Sequence, residues 1–161
     1  ITLAPSDPNK IGSSNFNNEN EFIGNQKENT KNIQNLTAKE KEVVNLAVSE
    51  YNQCQYCLSA HTAIAGMNGF NPEQIIELRS GTASFDTKLD ALARLSRAIV
   101  EHRGATNSAI LNRFFEAGWT KENLIDVVNQ VGEITITNYL HRITEVPIDF
   151  PKAQAIELAV V

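Results

Sequence analysis

From Thr37 onward, apolar residues recur at the three-to-four-residue spacing of helix faces, in runs separated by capping residues, glycines and prolines. Thr37-Ala38-Lys39-Glu40 has the form of a capping box, and Val43, Val44, Leu46, Ala47 and Tyr51 follow it. A second helix is expected to begin near Cys54 and to run out around Gly66 to Gly69. Asn71-Pro72 pairs an N-cap with a proline at the first helical position, opening a short helix that stops before Gly81. Asp86 caps a longer one carrying Leu89, Leu92, Leu95 and Ile99 and closed by Gly104. Thr106 or Asn107 opens the next, through Ile110, Leu111, Phe114 and Phe115 to Gly118. Thr120 caps the last and most hydrophobic, with Leu124, Val127, Val128, Val131, Ile134, Tyr139 and Leu140, before Pro147 and Pro151 end regular structure.

The stretch Val131 to Thr137 is rich in β-branched residues and can be read as a strand. Its helical flanks, and the lack of a partner strand or hairpin turn, favour helix. The expected architecture is an all-α bundle in one domain, residues 36–151. A polar, Asn-rich arm over 1–35 precedes it and a tail over 152–161 follows. The apolar end, Ile156 to Val161, is expected to pack on something, and Leu124 to Leu140 to be bundle core or an oligomer seam.

The chain has 161 residues, enough for one real core. Its net charge is −5 with the basic residues dispersed, which argues against nucleic acid or an anionic membrane as partner. No apolar run approaches the roughly 20 residues that span a bilayer. No secretory signal is visible at Ile1-Thr2-Leu3-Ala4-Pro5, although the absent initiator Met leaves room for a removed one. A lone Cys-x-x-Cys pair suits the cytosol, so a cytoplasmic location is expected.

The chemistry concentrates in Cys54-Gln55-Tyr56-Cys57-Leu58-Ser59-Ala60-His61, which holds both cysteines of the chain. Two thiols at this spacing can close a small, reversible disulfide. With about 100° of rotation per residue, Cys54, Cys57 and His61 fall in one narrow helical stripe. The i,i+4 pair Cys57 and His61 is expected to bring imidazole to thiol. A helix start and a nearby imidazole both lower a thiol's pKa, which points to a thiolate at Cys57. A carboxylate should orient His61, and the preceding helix offers Glu40, Glu42 and Glu50 without deciding among them. His102 sits near a helix C-terminus, where a cation is favourable, and reads as structural.

This octapeptide, with Glu42 twelve residues before Cys54, resembles the core motif of the alkyl hydroperoxidase D-like proteins of the carboxymuconolactone decarboxylase superfamily. Asn138-Tyr139-Leu140-His141, followed by Asp149-Phe150-Pro151, resembles the closing segment of many cysteine-bearing members, so the likeness spans roughly residues 35 to 151. It implies an all-α fold that assembles as a homo-oligomer (trimer, hexamer or dimer). It also implies a thiol-dependent peroxidase or disulfide reductase that needs no cofactor. Cys57 would attack the hydroperoxide. Cys54, the more accessible thiol, would resolve the sulfenic acid to a Cys54–Cys57 disulfide, which a dithiol, lipoyl or thioredoxin-like reductant would reopen. Glu42, as general base, and His61 would form the proton relay. Alkyl hydroperoxidase D carries a second His between its cysteines; here Tyr56 stands there, and Tyr56 and His141 are the candidate pocket residues.

Two other readings compete. One is a lyase acting on a lactone acid, as in the decarboxylase branch, which does not depend on a Cys-x-x-Cys pair. The other is a non-catalytic scaffold whose Cys54, Cys57 and His61 hold zinc with a fourth ligand from Glu42, His102 or His141. The single Cys-x-x-Cys favours redox chemistry without a metal.

Overall fold

The computed structural model describes residues 36–156; the expectations for the arm over 1–35 and for the last five residues lie outside them. The described residues form helices alone: α1 (Ala38–Tyr51), α2 (Gln55–Met67), α3 (Pro72–Arg79), α4 (Thr87–His102), α5 (Ser108–Glu116) and α6 (Lys121–Thr144). The caps are Thr37, Cys54, Asn71, Asp86, Asn107 and Thr120. Thr37 Oγ1 accepts the Glu40 N–H at 3.2 Å while Glu40 returns a carboxylate oxygen to the Thr37 N–H at 2.8 Å. Reciprocal boxes recur at Asn71 with Gln74 and at Thr120 with Asn123. Each such cap is worth about 1 kcal/mol to its helix.

The β-branched stretch lies inside α6, a single helix of 24 residues. Val127, Val131 and Ile134 are buried at helical spacing against the core, and that packing overrides their local preference for strand.

α1 is the centre of the bundle. Every residue from Glu42 to Ser49 is buried, and the helix packs against α2, α3, α4 and α6. A helix covered on all sides should be apolar throughout. Val43, Val44, Leu46 and Val48 obey, meeting Leu78, Leu92, Leu95 and Val127. Glu42, Asn45 and Ser49 do not obey, and they stand at i, i+3 and i+7 along one stripe. At the far end of the core, the Trp119 ring stacks on Phe114 at 5.5 Å and its indole N–H donates to the Lys88 carbonyl at 3.0 Å.

The connection from α1 to α2 is short. Gln53 takes a left-handed φ of 54°, and the Cys54 N–H reaches back to the Ser49 carbonyl at 3.1 Å. Beyond α6 the chain runs without regular structure back across the start of α2. There Ala153 is buried, its N–H on Ser59 Oγ at 3.0 Å and its carbonyl on Gln55 Nε2 at 2.8 Å. Arg79 braces this strap, donating to the Gln154 carbonyl at 2.9 Å and to Glu50 at 2.7 Å.

The second half of α6 faces outward. Ile136, Tyr139, Leu140 and Ile143 are between half and four-fifths exposed, whereas Ile134 and Asn138 are buried. Of the two expected roles, the bundle core holds for Val127, Val131 and Ile134.

Candidate active site

Cys54 is the N-cap of α2, and its sulfur accepts the Cys57 backbone N–H at 3.4 Å. Cys57 lies one turn in, its Sγ in hydrogen-bond contact with Cys54 Sγ at 2.6 Å. Both are free cysteines, 1% and 2% exposed, so Cys54 is not the more accessible of the two. The short loop at Gln53 and the strap over Ser59 and Gln55 together close the helix start.

The electrostatics of the pair are asymmetric. The hydrogen bond with the Cys57 thiol, joined by the Cys57 backbone N–H and the His141 imidazole, brings Cys54 down to about 6 against the opposing effect of burial. The same thiol hydrogen bond and burial push Cys57 upward, with the Asn138 amide opposing. These effects favour the negative charge on Cys54 over Cys57, the thiol for which the sequence pattern led us to expect it. The largest cause is the contact with the Cys57 side chain, and the Cys57 backbone N–H at the helix start adds to it.

The imidazole beside the sulfurs also differs from expectation. His141 Nδ1, from α6, lies 3.3 Å from Cys57 Sγ. His61 makes no hydrogen bond to Cys57 among the described residues; its Nδ1 meets Glu42 Oε2 at 2.8 Å. An i,i+4 offset puts two side chains on one face, but the buried Glu42 carboxylate on α1 draws the imidazole to itself. Of the three carboxylates left open by sequence, Glu42 is the one at His61, Glu40 caps α1 and Glu50 holds Arg79.

Two polar groups thus flank the cysteines. In the first, Asn45 Nδ2 donates to Glu42 Oε1 at 3.0 Å and Gln130 Nε2 donates to Asn45 Oδ1 at 3.0 Å, fixing the carboxylate that faces His61. With Nδ1–H given to Glu42, the Nε2 of His61 is left as an acceptor, the state of a general base. In the second, fully buried Asn138 accepts from Asn52 at 2.9 Å and donates to Ser49 Oγ at 3.0 Å. Tyr56 covers this side: its ring packs on His141 at 4.2 Å and edge-on to Phe150 at 5.9 Å. A hydrogen bond to Asp149 raises the Tyr56 hydroxyl above its ordinary pKa.

Residues 27–95 match the carboxymuconolactone decarboxylase family. Solved structures share the fold. An uncharacterized peroxidase-related protein from Silicibacter sp. TM1040 is 21% identical, with a TM-score of 0.65 over 80% of this chain and 68% of that one. An alkylhydroperoxidase AhpD core from Ralstonia eutropha JMP134 is 22% identical, with a TM-score of 0.64 over 80% and 70%. The debrominase Bmp8, solved with 2,3,4-tribromopyrrole, is 13% identical, with a TM-score of 0.63 over 80% and 70%. No curated protein matches the chain. Over residues 27–95 the chain is thus similar to the carboxymuconolactone decarboxylase family, and its fold is that of these solved structures.

The family match takes in Glu42, both cysteines and His61 and ends before Asn138 and His141. Sequence reasoning gave His141 a pocket role, or the fourth place in the zinc reading, and passed over Asn45, Ser49 and Asn52. The signal was present, because polar residues at helical spacing inside an otherwise apolar α1 have to be satisfied by something. Cys54, Cys57 and His141 also have their ligand atoms within 4.8 Å of one another, a three-ligand set for a soft cation. The zinc reading had named His61 as the third ligand; the geometry supplies His141 instead. His102 stands apart from this cluster, exposed in the last turn of α4.

Proposed function

We propose that the protein is a thiol-dependent peroxidase or disulfide oxidoreductase that reduces hydroperoxides through the Cys54–Cys57 couple. The observation that carries this reading is a pair of free thiols in hydrogen-bond contact at a helix N-cap, an environment that draws the Cys54 thiol down to about 6. The Cys54 thiolate attacks the terminal oxygen of the hydroperoxide, breaking the O–O bond to leave a sulfenic acid and an alcohol. The proton for the alcohol comes from the Cys57 thiol or the His141 imidazole. Cys57 sulfur then displaces the hydroxyl of the sulfenic acid, which leaves as water, and the disulfide closes. The Nε2 of His61, its tautomer set by Glu42, takes up and returns protons through a bridging water. A dithiol, lipoyl or thioredoxin-like reductant reopens the disulfide by exchange.

These roles reverse the order expected from the resemblance, where Cys57 attacks and Cys54 resolves. The charge distribution supports the reversal. Tyr56, His141 and Phe150 form the aromatic wall that substrates pass. The exposed stripe of Ile136, Leu140 and Ile143 on α6 supports assembly as a homo-oligomer. None of the described helices is long and apolar enough to cross a membrane, and the proposed compartment is the cytoplasm.

The test is turnover of an organic hydroperoxide with a dithiol, in the parent, Cys54→Ser and Cys57→Ser, with trapping of sulfenic acid. The proposal requires both variants to lose turnover and Cys57→Ser to accumulate sulfenic acid at Cys54. Undiminished turnover in both would sink the thiol mechanism. Trapping only in Cys54→Ser would restore Cys57 as the attacking sulfur.

A further inference from the structure

α4, α5 and the turn Ser80 to Thr82 enclose a cleft of about 410 Å³ that shares no residue with the sulfur site. Its lining carries Arg94, Arg97, Arg113 and His102 against one carboxylate, Glu101. Such convergence of guanidinium groups runs against the −5 charge of the chain as a whole.

Arg97 is the fixed element. Its guanidinium lies 4.7 Å over the Tyr51 ring, and its stem is pressed against Gly81, where an added Cβ would come within 3.1 Å of Arg97 Cβ. Its Nε reaches Glu101 only at 3.4 Å, and its Nη1 is buried without a hydrogen-bond partner. A guanidinium held this way on its buried side keeps its charge at the cleft wall at little further cost in freedom when an anion arrives. Arg94 gives its Nε to Asp90 at 2.6 Å, which leaves its terminal nitrogens for other acceptors. Arg113 forms no ion pair among the described residues; its charge is felt at Asp90, which Arg94 and the Ala83 N–H already hold. Beneath the arginines the floor is small and apolar, from Ala91, Ala98 and Ile110.

We propose that this cleft binds a small organic anion, its carboxylate or phosphate group held by Arg97 and Arg113 and its short apolar body lying over Ala98 and Ile110. Planar guanidinium forks match both oxyanions in bidentate fashion, so the chemistry is shared and the headgroup is left to the test.

Calorimetric titration of the full chain with orthophosphate, with succinate and with neutral succinamide reads the site directly, at low salt in a buffer free of both anions. Saturable one-to-one binding of at least one anion, and none of succinamide, is expected, and the anion that binds identifies the headgroup. Arg113→Gln, at an exposed position that should not disturb folding, and Arg97→Gln should each weaken binding about tenfold or more. Arg103→Gln, outside the cleft, should leave it unchanged. No saturable heat with either anion, or equal affinity in the parent, Arg97→Gln and Arg113→Gln, would overturn the proposal.

Discussion

His61 and His141 reach the cysteine helix from opposite directions in sequence, and they do different work. His61 is part of α2 itself, sits in a network of α1 and α6 side chains, and faces a buried carboxylate at 2.8 Å. His141 arrives from α6, 84 positions beyond Cys57, and faces sulfur at 3.3 Å under the ring of Tyr56. An imidazole against a carboxylate is set up to exchange protons, whereas one against a thiol is set up to favour the anion. The superfamily motif as read from sequence has one histidine after the cysteines and Tyr56 where alkyl hydroperoxidase D has another. The fold restores an imidazole to the sulfurs from a distant helix, and Tyr56 becomes its packing surface.

Removing the sulfurs sets the scale for this comparison. Cys54→Ser or Cys57→Ser should lower dithiol-supported hydroperoxide turnover by about a thousandfold or more, since neither variant can close the disulfide. Glu42→Gln and His61→Gln should each cost roughly a hundredfold in turnover, as expected for loss of general acid–base catalysis. Their thiol titration should stay where the parent's is. A shifted titration in His61→Gln would place that imidazole at the sulfur and erase the distinction.

His141→Gln should act in the opposite way. His141 is among the groups that lower Cys54 to about 6, so its loss should move the midpoint upward. Turnover should fall roughly tenfold at pH 6 and recover as pH rises and the thiolate returns. A pH-independent defect would mean that His141 serves only packing. The smallest effect belongs to Asn138→Ala, which strands Asn52 and Ser49 in the interior and should lower unfolding free energy by about 1–3 kcal/mol. Chemical denaturation reads it; an unchanged midpoint would show those partners re-satisfied.

The fold was legible because its signals are local. Capping residues at Thr37, Asn71, Asp86, Asn107 and Thr120 sit where the structure uses them, and the apolar spacing marks the buried faces. The site was legible as far as locality reached. Cys54, Cys57, His61 and Glu42 were named as candidates, and the structure brings Cys54 to Cys57 and Glu42 to His61. The imidazole at the sulfurs was misplaced because an offset within a helix says which residues share a face, not which buried partner on another helix wins the imidazole. Asn138 and His141 were visible as letters, but only the packing of α6 on α1 brings them to Ser49 and Cys57.

Titration of the reduced protein by the ultraviolet absorbance of thiolate, from acid to alkaline pH, addresses the central claim most directly. One thiolate should appear with a midpoint near 6, while the second thiol stays protonated beyond the ordinary value of 9.0. Both thiols ionising together near 9.0 would contradict the account.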